Sequence, residues 1–98
     1  MYKPIILPLA KADIKKAAHW YKSKKGELGK RFTQAVRAEA KHICSHPKSV
    51  AIRNDNTRCA VLNVFLFMIH YTIDETKELV IISAVFHTSQ SPQKWKRR

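Results

Sequence analysis

The sequence predicts an α+β protein in which a two-helix hairpin packs on a mainly antiparallel sheet of three or four strands. Between Lys11 and Ser45, apolar residues recur every three or four positions, as they do on helices. From Arg58 onward, the apolar runs are rich in Val, Ile, Phe and Tyr, as they are in strands. The chain has 98 residues, the length of one domain, so we expect residues 1–98 to form a single unit.

The N-terminal segment Tyr2–Leu9 predicts a short strand. Its two prolines have no N–H to donate to a neighbour, which favours a position at the sheet edge. A helical period begins at Lys11, and Asp13 then falls in the first turn, where a negative charge is favourable. This helix is predicted to stop by Gly26.

A second helix is predicted from Glu27 to Ser45, just before Pro47, which cannot continue a helix. The short link at Lys24 to Gly26 makes the two helices an antiparallel hairpin. The apolar stripe of the second helix consists of Leu28, Phe32, Ala35, Val36, Ala40 and Ile43.

The second half of the chain predicts the rest of the sheet. A polar loop, Lys48–Thr57, contains the turn sequence Asn54-Asp55-Asn56 and a possible short strand near Ala51–Arg53. Three strand-like runs follow, at Arg58–Leu62, Phe65–Ile73 and Leu79–Phe86. The last run begins with continuous apolar residues, which are typical of an interior strand. Pro92 fits the first turn of a short C-terminal helix.

The net charge of the chain indicates what kind of partner it binds rather than how it folds. Lys and Arg number 19 and Asp and Glu number 7, which gives a net charge of +12. Such an excess favours an anionic partner, namely a nucleic acid, an acidic protein or a membrane surface. The alternative is a basic surface that is simply solvated.

The cysteines and the hydropathy pattern indicate a cytoplasmic protein. Cys44 and Cys59 form no C-x-x-C pair and are interpreted as small buried side chains in a reducing compartment. We recognise no signal peptide, and the most apolar window, Cys59–Ile73, is too short to span a bilayer as a helix.

Few motifs for catalysis are present. With Gly26 and Gly29 as the only glycines, a glycine-rich phosphate loop is excluded. His42 and His46, four residues apart, could share a metal ion, but their spacing fixes no third ligand. Solvated histidines at a helix end are the favoured interpretation, so no metal or cofactor is expected. A Cys/His nucleophile pair stays open, although Cys44 lies on the apolar side of its helix.

Three features could form a site. His87 ends the last strand and is either a site residue or a histidine bonded to a backbone carbonyl. Arg58 could bind an anion or pair with an acid such as Asp13. The tail Lys94-Trp95-Lys96-Arg97-Arg98 suits nucleic acid through stacking and phosphate contacts. Alternatively, Trp95 packs on the sheet and leaves the charges available to a partner.

These features, in this order, resemble the RelE/ParE toxin superfamily of bacterial type II toxin–antitoxin modules over nearly the whole chain. The order and spacing of the matching segments are more specific than any one of them. The segments are Ala12-Asp13-Ile14, Trp20-Tyr21, Arg31-Phe32, Pro47, Arg58, Phe65–Tyr71 and the ending His87, Pro92 and Trp95.

The resemblance implies one of two activities. RelE-like members cleave mRNA in the ribosomal A site with Arg, Lys and a C-terminal His or Tyr, whereas ParE-like members poison DNA gyrase and are not nucleases. This chain has Met68, and then Ser89 and Gln90, where many members have Arg. Because metal-free RNA cleavage needs cations at the scissile phosphate, this difference favours the ParE-like activity, as do the strand signatures.

The resemblance also implies partners and site residues. The expected target-binding residues are Trp95, Lys96, Arg97, Arg98, Arg58 and His87. In the alternative, a metal-independent mRNA endoribonuclease, the catalytic residues would be Arg58, His87 and Lys94. The implied partner is a cognate antitoxin that covers apolar and basic surface with an extended, often acidic segment, as part of a plasmid-stabilisation module. A nucleic-acid-binding module without toxicity is a further alternative.

Overall fold

The structure, a computed structural model, describes residues 1–62 and 64–89. Its elements follow the order strand, two helices, four strands. They are β1 (Lys3–Ile6), α1 (Pro8–Lys24), α2 (Gly26–Ser45), β2 (Ile52–Asn54), β3 (Thr57–Val61), β4 (Phe67–Asp74) and β5 (Leu79–His87). The α+β class and the helical hairpin are therefore confirmed. The predicted short C-terminal helix at Pro92 lies outside the described residues.

The sheet has five strands in the order β1-β5-β4-β3-β2. Neighbouring strands are antiparallel, except that β1 runs parallel to β5 with Lys3 opposite Leu79. The four strands after the helices agree with the three or four predicted there, and the predicted N-terminal strand joins them as β1, so that the short segments β1 and β2 form the two edges. β5 lies between β1 and β4, which agrees with the interior position expected from its apolar start.

The junction between β1 and α1 differs from the prediction. The helix begins at Pro8, not at Lys11, and the strand is correspondingly shorter. Proline suits the first helical turn because its missing N–H has no partner there in any helix. Asp13 consequently lies in the second turn, and its Oδ2 accepts a hydrogen bond from the backbone N–H of Val85 at 3.0 Å. This hydrogen bond links α1 to β5 at a residue beyond the stretch of β5 that pairs with β1.

The two helices are joined by Lys25 alone and touch closely near the turn. A Cβ atom at Gly29 would lie 2.6 Å from the backbone oxygen of Ala18, so the helices pack backbone to backbone at this point. On α2, the predicted stripe faces the sheet as expected. Four of its members (Phe32, Val36, Ala40 and Ile43) are buried and two (Leu28 and Ala35) are half-buried.

Aromatic rings fill the space beside this close contact. Tyr21, Phe32, Phe65 and Phe67 form one cluster, with Phe32 4.9 Å from Phe67 and 5.4 Å from Phe65 between ring centroids. Tyr21 lies 5.0 Å from Phe65, and its hydroxyl donates to the Phe65 carbonyl at 3.2 Å. Edge-to-face contacts of this kind add to the free energy gained by burying the rings. This cluster anchors the hairpin to β4.

The turn between β2 and β3 lies at the predicted turn sequence Asn54-Asp55-Asn56. Asp55 and Asn56 both have positive φ, 46° and 66°, as in the two central residues of a type I′ hairpin turn. Asn and Asp adopt this backbone conformation more readily than other side chains. A separate contact ties the end of α2 to the sheet. The hydroxyl of Tyr71, on β4, donates a hydrogen bond at 2.8 Å to the carbonyl oxygen of Pro47, which follows α2.

The two faces of the sheet have different neighbours. One face packs on the helices, and its side chains include Ile69, Tyr71, Val80 and Ile82, each 0% exposed. The register places Met68, His70, Ala84 and Phe86 on the opposite face. These four are also buried, at 2–5% exposure, and the His70 and Phe86 rings meet edge to face at 5.2 Å.

Candidate functional site

The predicted target-binding tail, Trp95, Lys96, Arg97 and Arg98, lies outside the described residues, as does the alternative catalytic residue Lys94. Their assignment therefore stays a prediction.

Arg58 lies on β3, directly opposite Tyr71 of β4. Its Nη1 donates a hydrogen bond to the carbonyl oxygen of Val50, in the segment that leads into β2. It lines a cleft of about 600 Å³ beside an exposed ion pair between Lys48 and Glu75. The hydrogen bond and the charge of Lys48 lower the pKa of the Glu75 carboxyl. The Arg58 guanidinium is thus hydrogen-bonded to a loop carbonyl, in a cleft that is lined by both acidic and basic side chains.

His87 is the last residue of β5 and lies opposite Phe67, whose ring it meets edge to face at 5.2 Å. Its Nδ1 lies 2.7 Å from the Ser89 hydroxyl oxygen and accepts the Ser89 backbone N–H at 3.1 Å. These two contacts with Ser89 hold the orientation of the His87 ring.

The structure does not bring Arg58 and His87 together. Their partners on β4, Tyr71 and Phe67, are four residues apart, which corresponds to about 13 Å along the strand. Arg58 and His87 also lie on opposite sides of β4, which adds about 10 Å across the sheet. Groups that act on one phosphate must each lie within hydrogen-bonding reach of it. In this geometry the two side chains do not share a phosphate site.

Met68 and Ser89, the positions where the resemblance leads one to expect arginine, supply no cation. Met68 is 4% exposed on the sheet face opposite the helices. Ser89 is exposed, and both its hydroxyl and its N–H contact His87.

His42 and His46 stack on each other at the end of α2, with ring centroids 5.0 Å apart. Both are exposed, in agreement with the interpretation as solvated helix-end residues. Within residues 1–62 and 64–89, no group of three or more His, Cys, Asp or Glu side chains is placed to hold a metal ion.

A groove that the sequence did not predict opens between α1, α2 and β1. We call it the hairpin groove, and its volume is about 430 Å³. Its apolar lining includes Ile6 of β1, Ile14 of α1, and Val36, Ala40 and Cys44 of α2. Burial raises the pKa of the Cys44 thiol, which keeps this side chain neutral.

The charged residues that line the hairpin groove are all cations. They are Lys11 and Lys15 on α1 and Arg37 and Lys41 on α2, and all four are exposed. Each pair is spaced four residues apart, so that each helix presents one cationic row. The rows are visible in the sequence, but the gap between them depends on how far the helices diverge, which no local pattern specifies.

In the described part of the chain, no helix is both long and apolar enough to cross a bilayer.

A helical hairpin on a mixed five-stranded sheet is also found in solved toxins of type II toxin–antitoxin modules, and comparison with known proteins identifies the family. A family model described as the ParE toxin of the type II toxin–antitoxin system, parDE, matches residues 5–92. The chain therefore belongs to the ParE toxin family of type II toxin–antitoxin systems. A search of curated protein sequences finds no match.

Solved toxin structures share the fold at low sequence identity. The chromosomal ParDE toxin–antitoxin system of P. aeruginosa is 14% identical, with a TM-score of 0.78 over 91% of this chain and 98% of that one. The RelBE2 toxin–antitoxin complex of Mycobacterium tuberculosis is 23% identical, with a TM-score of 0.65 over 88% and 96%. The isolated E. coli RelE toxin is 12% identical, with a TM-score of 0.69 over 99% and 95%. Since both ParE and RelE toxins have this fold, the fold does not decide the target.

Proposed function

We propose that this toxin acts by inhibiting DNA gyrase rather than by cutting mRNA. The observation that supports the proposal most is that the side chains at the two positions expected to hold arginine carry no charge. Met68 and Ser89 stand at the two expected arginine positions, and the Arg58 guanidinium is bonded to the Val50 carbonyl. Cleavage of RNA without a metal depends on cations that stabilise the charge developing at the phosphate.

In this proposal, the basic C-terminal residues contact the target. Trp95 offers a large contact area and Lys96, Arg97 and Arg98 offer charge, a combination common at binding hot spots. Arg58 and His87 are secondary target contacts. We also propose that residues 1–98 act as one toxin domain in the cytoplasm, where gyrase acts, within a plasmid-stabilisation module.

The test is a supercoiling assay with purified gyrase and relaxed plasmid. The wild-type chain is expected to inhibit supercoiling, and both Trp95→Ala and a chain lacking residues 96–98 are expected to lose at least about tenfold in inhibition, an effect of hot-spot size. Arg53→Ala, which removes an exposed cation from the edge strand β2, is the matched control and should keep full inhibition. Gyrase that stays fully active in excess wild-type toxin would contradict the proposal.

One observation favours the mRNA endoribonuclease as a second candidate. His87 lies at a strand end with its Nδ1 held by Ser89, so its orientation is fixed as a catalytic residue requires. This candidate predicts mRNA cuts in phase with codons that vanish in His87→Ala and persist in the control His42→Ala.

The partner that we propose is a cognate antitoxin. The net charge of +12 supports an acidic segment in that partner, because complementary charge accelerates association and disfavours wrong partners. Antitoxin binding is expected to survive removal of residues 96–98 and replacement of Trp95. Equal loss of target and antitoxin binding in a folded variant would contradict the assignment of these residues to the target.

A further inference from the structure

We propose that the short loop between β3 and β4 is a second contact for the protein target, beside the basic C-terminal residues. The inference rests on the proposed function, in which that target is gyrase. We call this surface the apolar loop, and it consists of Val64, Phe65 and Leu66.

The apolar loop exposes two large apolar side chains within three residues. Val64 is 80% exposed and Leu66 is 56% exposed. Val64 also lines a cleft of about 480 Å³, whose other lining residues are Leu62 and, on α2, Ala35, Ala38, Glu39 and His42. Exposed apolar side chains that continue into a largely apolar cleft mark a surface that a partner covers.

The loop is held in place by contacts with the rest of the protein. The N–H of Leu62 donates to the Phe67 carbonyl at 2.8 Å and closes the hairpin. Inside the loop, Phe65 is 8% exposed, its ring packs against those of Phe32 and Tyr21, and its carbonyl accepts the Tyr21 hydroxyl. Because such a loop loses little conformational entropy on binding, more of the contact free energy remains for affinity.

Leu66 has an unfavourable backbone conformation. Its φ is 55°, in the left-handed region that is rare for a bulky side chain. Such conformations cost stability and cluster at functional sites. Asparagine would adopt the same conformation more readily, and the leucine side chain is more than half exposed. Stability alone therefore does not explain a leucine at this position, whereas contact with a partner does.

The apolar loop lies where the C-terminal residues begin. The Leu66 carbonyl accepts the backbone N–H of Thr88 at 2.8 Å, next to His87, which is one of the secondary target contacts. Lys94, the first of four cations in residues 90–98, follows Ser89 by five residues, which is at most about 18 Å of chain. The apolar loop and these cations can therefore contact one partner at the same time.

The chemistry of this region fits a protein partner that has an apolar pocket with carboxylates beside it. The two exposed side chains of the loop would enter the pocket, and the neighbouring cations would pair with the carboxylates. A second copy of the chain fits less well, because each copy has a net charge of +12 and the basic residues of both would meet. We commit to the target as the occupant, since the loop adjoins the residues assigned to it.

The test combines the supercoiling assay with thermal unfolding of the same full-length variants. The loop variant, Val64→Thr with Leu66→Asn, removes the apolar contacts and places at residue 66 a side chain that suits positive φ. The concentration that inhibits gyrase by half should rise at least about tenfold, as for a binding hot spot. The Tm should stay unchanged or rise by up to about 5 °C, because the backbone strain is relieved.

Two matched controls separate the side chain from the strain. Leu9→Asn makes the same substitution at a leucine that is 59% exposed in the first turn of α1, and it should keep full inhibition. Glu78→Asn relieves the same backbone conformation, with φ at 55°, between β4 and β5. It should keep or raise the Tm and leave inhibition unchanged.

Three results would overturn this inference alone. Equal inhibition by the wild type and the loop variant would assign the loop to another partner, such as the antitoxin. A loss of inhibition together with a lower Tm would make the loop structural. A wild-type dimer in light scattering that only the loop variant abolishes would make the loop a contact between copies. If the wild-type chain itself leaves gyrase active, the proposed target fails as well, so the two failures are distinguishable.

Discussion

The two ends of the helical hairpin meet the rest of the protein in opposite ways. At the end near the interhelical turn, the helices touch at Gly29 and aromatic rings occupy the space over the sheet. At the other end, beside β1, the side chains between the helices are small or of medium size, such as Val36, Ala40 and Cys44, and the hairpin groove stays open. We call these the aromatic end and the groove end.

The difference between the two ends suggests different roles, stability for the aromatic end and binding for the groove end. Large buried rings contribute most of the free energy that a small core can supply, so the aromatic end is expected to dominate folding. The groove end combines apolar surface with cations, which is a typical composition for a surface that a partner covers. If this division holds, substitutions at the aromatic end should change unfolding, and those at the groove end should change binding.

The largest expected effect is that of Phe32→Ala at the aromatic end. Phe32 is 0% exposed and contacts three other rings, so its loss should leave a cavity and cost about 3–5 kcal/mol. Val36→Ala, one turn further along α2, removes two methyl groups beside the open groove and should cost about 1–2 kcal/mol. Urea unfolding of both variants measures the difference. Similar losses in the two would contradict the comparison.

The second prediction concerns the close contact of the helices. Gly29→Ala places a Cβ 2.6 Å from the Ala18 oxygen, so one helix must shift, at a cost of about 1–3 kcal/mol. Gly26→Ala is the matched control, because no atom lies within 4 Å of its added Cβ. It should be neutral or stabilising by up to about 1 kcal/mol. Thermal unfolding that lowers the Tm equally in both would show that the helices do not touch at Gly29.

A smaller effect is expected from Tyr21→Phe, which keeps the ring and removes the hydroxyl that donates to Phe65. The loss should be about 0.5–1.5 kcal/mol, below that of Phe32→Ala, because packing of the rings rather than this hydrogen bond holds the aromatic end.

Tyr21→Phe should also change how the free energy of unfolding depends on pH. Burial raises the pKa of Tyr21 above its ordinary value of 10.0. Its contribution to stability is therefore complete below pH 10.0 and is lost as the pH rises through the raised value, because the unfolded state then binds fewer protons. Urea midpoints at neutral and alkaline pH should fall less steeply in Tyr21→Phe than in the wild type. An identical alkaline loss would mean that Tyr21 titrates alike in both states.

The smallest effect on stability is expected at the groove end. Arg37→Ala removes an exposed cation beside the open groove, so the free energy of unfolding should change by less than about 0.5 kcal/mol. Urea unfolding in parallel with Phe32→Ala measures the change. A loss as large as that of Phe32→Ala would contradict the division between the two ends.

The parts of the fold that were predicted correctly depend on sequence patterns within single elements. The bounds of α2, the short link between the helices and the turn at Asn54-Asp55-Asn56 follow from periodicity and turn chemistry within a few neighbouring residues. The start of α1 was predicted three residues late, because the period of apolar residues begins after the proline-led first turn.

Contacts between distant segments could not be predicted in this way. The parallel pairing of Lys3 with Leu79 and the hydrogen bond from Val85 to Asp13 join residues more than 70 positions apart. Arg58 was considered as a ligand for an anion or a partner of Asp13, and it is bonded to the Val50 carbonyl, which no charge pattern indicates. The hairpin groove was missed because it arises from the divergence of two helices rather than from a motif.

The target of the toxin is tested most directly by the order in which macromolecular synthesis stops after induced expression in a bacterium. Pulse-labelled DNA synthesis and protein synthesis are followed side by side, with Trp95→Ala expressed in parallel. The gyrase proposal predicts that DNA synthesis fails first, with filamentation and a DNA-damage response, and that Trp95→Ala delays the failure. If translation stops within minutes while DNA synthesis continues, the toxin acts on mRNA, and the proposal drawn from Met68 and Ser89 is wrong.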